Sequence, residues 1–117
     1  LHRPVAQRIK AAARHDLDRH AAFKNAAVVK TIVTTRLANV VAKDYGATVF
    51  DVLTGFKFIG EKIKEWEQTH EYTFMFGFEE SYGCLIGTHA RDKDAIVAVM
   101  CLCETAAWLP ALKKTKV

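Results

Sequence analysis

Cysteine is scarce in this sequence and long apolar runs are missing, and each absence excludes a class of protein. The 117 residues include three cysteines, and no two of them form a Cys-x-x-Cys pair. An odd cysteine count without that spacing argues against a disulfide framework and a zinc site, and it fits a reducing, cytoplasmic compartment. No apolar run approaches the length of a membrane span, and the basic N-terminus does not lead into the apolar core of a secretory signal.

A concentration of positive charge is also missing. The net charge is only +4, and five of the seventeen basic residues lie near the chain ends. No stripe of Lys and Arg alternates with exposed aromatic residues, so we expect no nucleic-acid partner. Neither a Gly-x-Gly-x-x-Gly turn nor a Walker loop occurs, which makes a nucleotide-binding domain a weak alternative. The five histidines are scattered, which is typical of surface residues and not of metal ligands.

The length of the chain suits one domain with a core of its own. The sequence begins with Leu1 instead of Met, so we expect a fragment or a processed chain. Helical periodicity predicts a helix over residues 4–24, with Pro4 in its first turn. We divide the sequence into an N-terminal segment (1–26), a main domain (27–110) and a basic tail (111–117).

The main domain alternates between two patterns. Runs of β-branched and apolar residues predict strands, and apolar residues at helical spacing predict helices. The alternation predicts an α/β fold, a three-layer α/β/α sandwich with a mainly parallel or mixed sheet of three to four strands. The predicted strands are residues 28–33, 48–53, 72–76 and a short 84–86. The predicted helices are 36–45, a segment that starts at Phe56, and a segment from Asp92 or Asp94 to Pro110.

The spacing within each helix predicts which side chains face the sheet. Thr34 or Thr35 is expected to cap the first helix, and Pro110 is expected to end the last one. The expected inward residues are Leu37, Val40 and Val41 in the first helix, Phe56, Ile59, Ile63 and Trp66 in the second, and Ala95, Ile96, Val99, Leu102, Cys103 and Ala106 in the third.

Polar side chains cluster where the predicted third strand stops. Residues 77–83 place two carboxylates and a hydroxyl between glycines, and Arg91 and Lys93 follow shortly before the last helix. A carboxylate accepts hydrogen bonds from neighbouring sugar hydroxyls, and a nearby Arg or Lys suits a phosphate. Ligands of such sheets bind outside the carboxyl ends of the strands, so residues 34–35, 54–55 and 77–81 should share one edge. The cluster therefore favours a sugar phosphate as ligand.

Alternation along the loop separates its polar residues into two sets. If the loop is extended, Glu79 and Ser81 point one way and Glu80 points the other. We expect Glu79 and Ser81 to face a ligand, and Glu80 to be a structural residue paired with a Lys or an Arg. The alternative is that these side chains only cap nearby N–H groups. Tyr82 is expected either to line the cleft or to pack against the domain.

The motif Gly-Phe-Glu-Glu-Ser-Tyr-Gly at 77–83, with Arg-Asp-Lys-Asp at 91–94, resembles the sugar-binding loop of the α-D-phosphohexomutases. These enzymes are the phosphoglucomutases and phosphomannomutases, and the loop belongs to the third of their four domains. The segment Leu-Thr-Gly-Phe-Lys-Phe-Ile at 53–59 resembles a second signature of that domain. The resemblance extends over residues 28–109, and the 77–83 motif looks closer to the phosphoglucomutase branch.

The resemblance implies an isomerase of carbohydrate metabolism that interconverts hexose 1-phosphate and hexose 6-phosphate through an enzyme phosphoserine. It implies that Thr54, Gly55, Glu79 and Ser81 bind substrate. Arg91 is added to this substrate-binding set because an arginine suits a phosphate; the alternative is that it pairs with an acid. Lys93 matches a family lysine near the reacting phosphate, which stabilises charge or transfers a proton; the alternative is an exposed surface lysine. Mg2+ and glucose 1,6-bisphosphate are implied for the full-length enzyme, with no cofactor held by this domain.

Three loops of the family's chemistry are missing from the sequence. They are the Ser-His-Asn-Pro phosphoserine loop, the Asp-Gly-Asp magnesium loop and the later Ser-Gly-Thr phosphate loop. Without nucleophile or metal site, transfer has no chemical route, so we expect the isolated chain to be inactive. Its expected partners are a hexose phosphate and the other domains of the parent enzyme, with no nucleic acid and no membrane.

The N-terminal segment departs from the family pattern, because the Gly-Asn pair that usually opens this domain is absent. Two functions of other classes stay open. One is a free-standing module that binds sugar phosphates. The other is a structural or engineered α/β domain whose loop binds no ligand.

Overall fold

The computed structural model describes residues 25–113, and the side chains of residues 25–107. The helix predicted for residues 4–24 lies outside the described residues, as does the end of the basic tail. Residues 25–99 belong to one compact unit and residues 100–113 to a second. The elements are β1 (Ala26–Thr31), α1 (Leu37–Asp44), β2 (Thr48–Val52), α2 (Phe56–Thr69), β3 (Thr73–Phe78), β4 (Cys84–Ile86) and α3 (Ala95–Lys113).

The four strands form one sheet in the order β2-β1-β3-β4. β1 is parallel to both of its neighbours, with Val29 opposite Phe50 on one side and Gly77 on the other. β4 returns antiparallel to β3, with Leu85 opposite Gly77. Parallel neighbours require a crossover helix between them, and α1 and α2 occupy those positions in the chain. The predicted α/β fold with a mainly parallel, mixed sheet is confirmed.

The core lies between the sheet and the apolar face of α2. The four residues predicted to form that face are at most 4% exposed, which confirms the prediction. Burial of each such side chain contributes about 1.5–3 kcal/mol. They pack against Ala27 and Val29 of β1, Phe74 of β3 and Leu85 of β4. At the β2 end of this layer, the Trp66 ring packs at 4.9 Å from Phe50 and 5.4 Å from Tyr72, measured between ring centroids.

The inward face predicted for α1 is wrong. Leu37, Val40 and Val41 are 47–65% exposed, whereas Ala42 is the residue that is buried. A small side chain at the contact lets this short helix lie close to β2. The spacing of apolar residues does not predict such a contact, because it takes no account of side-chain size. The expected threonine cap is wrong as well: Arg36 is the N-cap residue and no side chain caps the helix, although the Thr35 hydroxyl, one residue earlier, accepts the N–H of Leu37 at 3.2 Å.

Gly77 was expected to end the third strand, but β3 continues through it to Phe78. The glycine is buried, and a Cβ at this position would lie 2.6 Å from Cγ2 of Ile59. Gly77 therefore marks a place where α2 lies close against the sheet. It is not a strand end.

α3 differs from its prediction in two respects. The expected buried stripe is wrong, since Ile96 is 75% exposed and Val99 57% exposed, and the other four stripe residues are exposed too. Val97 is half-buried instead. The helix is apolar on all sides, so spacing cannot select one face. Pro110 does not end the helix, which runs to Lys113; a proline removes one N–H bond and can be accommodated with a local distortion. Within residues 25–113, no helix is long and apolar enough to cross a membrane.

Candidate functional site

The carboxyl ends of three strands lie at the same edge of the sheet, because β1, β2 and β3 are parallel. This confirms that the segments after these strands share one edge. β1 stands between the other two. The ends of β2 and β3 are therefore separated by two strand spacings, about 10 Å. Thr54 follows the first of these ends and Glu79 follows the second, with the end of β1 between them.

A tight five-residue loop, 79–83, connects β3 to β4. The N–H of Tyr82 donates to the carbonyl of Glu79 at 3.2 Å, and the N–H of Glu79 donates to the carbonyl of Gly83 at 3.0 Å. Tyr82 has a φ of 69°, in the left-handed region that bulky residues rarely occupy. Its side chain is 97% exposed, so Tyr82 does not pack against this domain.

Glu79 and Ser81 face the same way, as predicted, but in a tight turn and not in the extended loop on which the prediction depended. The Ser81 hydroxyl donates to Oε1 of Glu79 at 2.6 Å. Glu79 is only 8% exposed, whereas Ser81 is exposed. A carboxylate this deeply buried needs polar partners close by: Ser81 supplies a hydrogen-bond donor and Lys93 an opposite charge. The Nζ of Lys93 lies 3.8 Å from the same Oε1.

Lys93 is held by three groups at once. Its Nζ lies 3.0 Å from Oδ1 of Asp92, 3.8 Å from Oε1 of Glu79 and 5.5 Å from the centre of the Phe56 ring. The hydrogen bond to Asp92, followed by the charges of Asp92 and Glu79, raises the pKa of Lys93 above its ordinary value of 10.5. Its side chain is still 46% exposed. Lys93 is therefore a fixed, accessible cation at neutral pH.

Gly83 allows Lys93 to approach Glu79. A Cβ on Gly83 would lie 2.4 Å from Cδ of Lys93 and 2.8 Å from Oε1 of Glu79. Any side chain here would occupy the space that the lysine and the carboxylate share. The last glycine of the loop is thus part of the geometry of the site.

The segment that carries Lys93 is fixed at both ends. Upstream, the backbone carbonyl of Arg91 lies so close to α2 that a Cβ on Gly60 would be 2.8 Å from it. Downstream, the N–H of Asp94 donates to the carbonyl of Cys84 at 2.9 Å. Asp94 also caps α3, since its Oδ1 accepts the N–H of Ile96 at 2.9 Å. Of the two predicted starts for this helix, Asp94 is the correct one.

Arg91 pairs with an acid, one of the two alternatives that the sequence left open. Its guanidinium forms an ion pair with Glu67 of α2. It also donates to the carbonyl oxygens of Thr88 at 2.9 Å and Ala90 at 3.1 Å. These contacts hold the 88–93 segment against α2.

Thr54 and Gly55 precede the N-terminus of α2. Gly55 is the N-cap residue, with a φ of 117°, and no side chain caps this end of the helix. The first turn contains no acidic residue, and it includes Lys57. Uncapped N–H groups at the positive end of a helix favour an anion. Because Phe56 is the first residue of α2 and lies under Lys93, this helix end and the lysine are neighbours.

Glu80 is bonded differently from what was expected. The Thr31 hydroxyl donates to its Oε2 at 2.7 Å, in place of a Lys or an Arg. Thr31 is the last residue of β1, and β1 lies next to β3, so its hydroxyl is a donor within easy reach. This hydrogen bond is the main reason that the pKa of Glu80 lies below its ordinary value of 4.5.

Two further carboxylates near the site are stabilised in their ionised form. The backbone N–H of Lys93, followed by its ammonium group, lowers the pKa of Asp92 below the ordinary value. The His89 side chain, 2.8 Å away, and the first N–H groups of α3 lower the pKa of Asp94.

Comparison with known proteins agrees with this arrangement. The profile of phosphoglucomutase/phosphomannomutase alpha/beta/alpha domain III matches residues 7–116. The chain belongs to this family. The resemblance seen in the 77–83 and 91–94 motifs is thereby confirmed, and the chain corresponds to the third, alpha/beta/alpha domain of this family.

Curated relatives carry the names of this enzyme class. A phosphomannomutase of Mycoplasma genitalium is 43% identical over 74% of this chain and 16% of its own length. A phosphoglucomutase of Staphylococcus saprophyticus is 43% identical over 62% of this chain and 13% of its own length. A human glucose 1,6-bisphosphate synthase is 33% identical over 83% of this chain and 15% of its own length. The chain thus spans 13–16% of these relatives.

One solved structure shows the same fold. The crystal structure of a protein assigned as a phosphomannomutase from Thermus thermophilus matches with a TM-score of 0.63 and 23% identity. The match covers 84% of this chain and 20% of that one.

A donor set for Mg2+ does not occur in the described part of the chain. Among residues 25–113, no group of three or more His, Cys, Asp or Glu side chains is placed to hold a metal ion. The carboxylates of the site are bonded to hydroxyls, N–H groups and a lysine. The metal that the family implies thus has no fitting site on these residues.

Several contributors to the site were not predicted from the sequence. Thr31 belongs to a β-branched run, which a strand already explains. Phe56 was assigned to the core, and it also lies under Lys93. Asp92 carried a usable signal, since an acid directly before a lysine can hold it in place.

Proposed function

We propose that this domain recognises a hexose phosphate within an enzyme that interconverts hexose 1-phosphate and hexose 6-phosphate through an enzyme phosphoserine. One observation carries the proposal: a hydroxyl at 2.6 Å and an ammonium group at 3.8 Å converge on a single oxygen of Glu79. An acceptor, a hydroxyl and a cation side by side match the hydroxyls and the phosphate of such a ligand.

The proposed roles follow from the position of each group. Glu79 accepts hydrogen bonds from two adjacent ring hydroxyls, and Ser81 bonds the same edge of the sugar. Thr54 and Gly55, at the uncapped end of α2, receive the phosphate together with Lys93. The raised pKa of Lys93 favours charge stabilisation over proton abstraction, because the side chain has no free lone pair at neutral pH.

Arg91 has a supporting role in this proposal. Its guanidinium is already engaged with Glu67 and with two carbonyl oxygens. Contact with a phosphate would require it to leave all three. We therefore assign Arg91 to the placement of the segment that carries Lys93.

The isolated chain is expected to be catalytically inactive. Ser81 is the only serine in the sequence, and it belongs to the proposed sugar contact. Phosphoryl transfer needs a nucleophile in line with the phosphate and a metal or equivalent charge. In this proposal the nucleophile and the metal are supplied by other parts of a longer enzyme. The chain covers about a sixth or less of the length of its relatives.

An amide NMR titration of the 117-residue chain with glucose 1,6-bisphosphate tests the binding role. Shifts are expected at residues 54–55, 79–83 and 91–93, with weak affinity because only part of the enzyme is present. Glu79→Ala should abolish them, and Glu71→Ala, a matched change of an exposed glutamate outside the site, should not. No shifts at millimolar ligand would contradict the binding role. Turnover of glucose 1-phosphate by this chain would contradict the expected inactivity.

A further inference from the structure

A chain of hydrogen bonds runs along the edge of the sheet to the back of the 79–83 loop. The Nζ of Lys30 donates to Oδ1 of Asp51 at 2.8 Å and to the carbonyl of Thr34 at 3.3 Å. The hydroxyls of Thr34 and Thr31 are 2.5 Å apart. Thr31 then donates to Oε2 of Glu80 at 2.7 Å. The chain thus links β2, the loop after β1, the end of β1 and the 79–83 loop.

The direction of these bonds is fixed by proton count. A carboxylate only accepts, so the single proton of the Thr31 hydroxyl is given to Glu80. Thr34 must therefore donate to Thr31. Each hydroxyl in the series is oriented toward Glu80. An acceptor at position 80 therefore keeps both hydroxyls hydrogen-bonded.

The series of hydrogen bonds begins at buried residues and ends at an exposed one. Thr31 is 0% exposed and Lys30 is 1% exposed. Glu80 is exposed and lies between Glu79 and Ser81 in the loop. Without such a hydrogen bond, an exposed glutamate side chain changes rotamer at little cost in free energy. The buried Thr31 hydroxyl gives the loop one fixed point opposite the ligand-facing pair.

We propose that Thr31 and Glu80 are positioning residues, whose hydrogen bond sets the orientation in which Glu79 and Ser81 meet a ligand. The binding consequence rests on the proposed function, but the effect on the loop does not. Thr31 and Glu80 touch no ligand in this proposal. They act through the backbone of residues 79–81.

Four single variants and one double variant of the 117-residue chain separate the hydrogen bond from charge and bulk. Thr31→Val removes the hydroxyl and keeps the shape, and Thr31→Ser keeps the hydroxyl. Glu80→Ala removes the acceptor together with its charge, and Glu80→Gln removes the charge but keeps a carbonyl that accepts from Thr31. The probe is glucose 1,6-bisphosphate.

Two readouts are measured on each variant. The first needs no ligand: hydrogen exchange of the Glu79 and Tyr82 amides, which donate within the loop, compared with the buried Val29 amide in the sheet. The second is affinity for the probe by amide titration. For Thr31→Val and Glu80→Ala we expect loop exchange about tenfold faster, unchanged Val29 exchange and affinity at least about fivefold weaker. Thr31→Ser and Glu80→Gln should restore both, and the double variant Thr31→Val/Glu80→Ala should be no worse than either single one.

The proposal is overturned if Thr31→Val leaves loop exchange and affinity as they were. It is also overturned if Val29 exchange accelerates by the same factor as the loop, because the hydroxyl then serves the whole fold. If the unchanged chain does not bind the probe at all, the proposed function fails, and the exchange data alone still decide whether Thr31 and Glu80 position the loop.

Discussion

Gly83 and Lys93 occupy the same small space beside Glu79. A Cβ on residue 83 would lie 2.4 Å from Cδ of Lys93, less than any normal carbon contact. The glycine is required here for proximity, because its φ is not among the positive ones. The absence of a side chain at Gly83 therefore lets the Lys93 ammonium group lie beside Glu79.

Gly83→Ala should separate Lys93 from Glu79 without unfolding the domain. The lysine stem is flexible and can move aside, so we expect a loss of at most about 1 kcal/mol in unfolding free energy. Affinity for glucose 1,6-bisphosphate should fall about tenfold, which is the value of one charge-assisted contact. Isothermal titration and urea melts measure the two effects. In a Lys93→Ala background the added methyl group meets only Oε1 of Glu79, at 2.8 Å, so a further tenfold loss there would contradict displacement of Lys93 as the cause.

Lys93→Met should weaken binding of the bisphosphate about tenfold or more and reduce its dependence on salt, because a fixed cation is removed. Lys62→Met is a matched control. It removes the same charge from a lysine of α2 that is paired with Glu65 at 2.8 Å and lies 6.0 Å from the Trp66 ring. Affinity at several salt concentrations distinguishes the two. Equal losses would show that only net charge matters.

Gly77→Ala should destabilise the fold directly. The new Cβ would lie 2.6 Å from Cγ2 of Ile59, which is fully buried, and overpacking of this kind costs about 1–3 kcal/mol. Gly46→Ala is the comparison: its Cβ meets nothing within 4 Å, and only its φ of 72° is unfavourable, with a cost of about 1 kcal/mol. Urea unfolding measures both changes. A larger loss for Gly46→Ala would contradict the close contact between β3 and α2.

Acid should destabilise the start of α3. The pKa of Asp94 lies below its ordinary value of 3.8, mainly because of the hydrogen bond with His89. A lowered pKa in the folded state means that the stabilisation is complete above 3.8 and is lost as the pH falls through the lower folded value. Thermal melts from about pH 5 to about pH 2 should show a steeper decline for the unchanged chain than for Asp94→Asn. Parallel curves would exclude Asp94 as a source of the decline.

The sequence predicted the order of elements well, because strands and helices of this domain carry strong and different periodicities. The face of α2 was predictable, since Ile59, Ile63 and Trp66 stand against charged neighbours. The faces of α1 and α3 were not. In α3 apolar residues surround the whole helix, and in α1 a small alanine faces the sheet while larger side chains remain exposed.

The candidate site was predictable where chemistry follows the local pattern. The pairing of Glu79 with Ser81 was predicted, although from an extended loop where the structure has a tight turn. The parallel strands placed the loops at one edge. Contacts between segments that are distant in the sequence could not be predicted from local patterns. The bond from Thr31 to Glu80 joins residues 49 positions apart, and the ion pair of Arg91 with Glu67 joins residues 24 apart. Both depend on which elements are neighbours in space.

The strand order has a consequence for how the domain is made. β1 comes first in the chain, yet it lies between β2 and β3 in the sheet. During synthesis from the N-terminus, β1 must remain unpaired on one side until Phe78 has left the ribosome. The 79–83 loop of the candidate site follows immediately. A nascent chain therefore completes the parallel part of its sheet directly before it adds this loop.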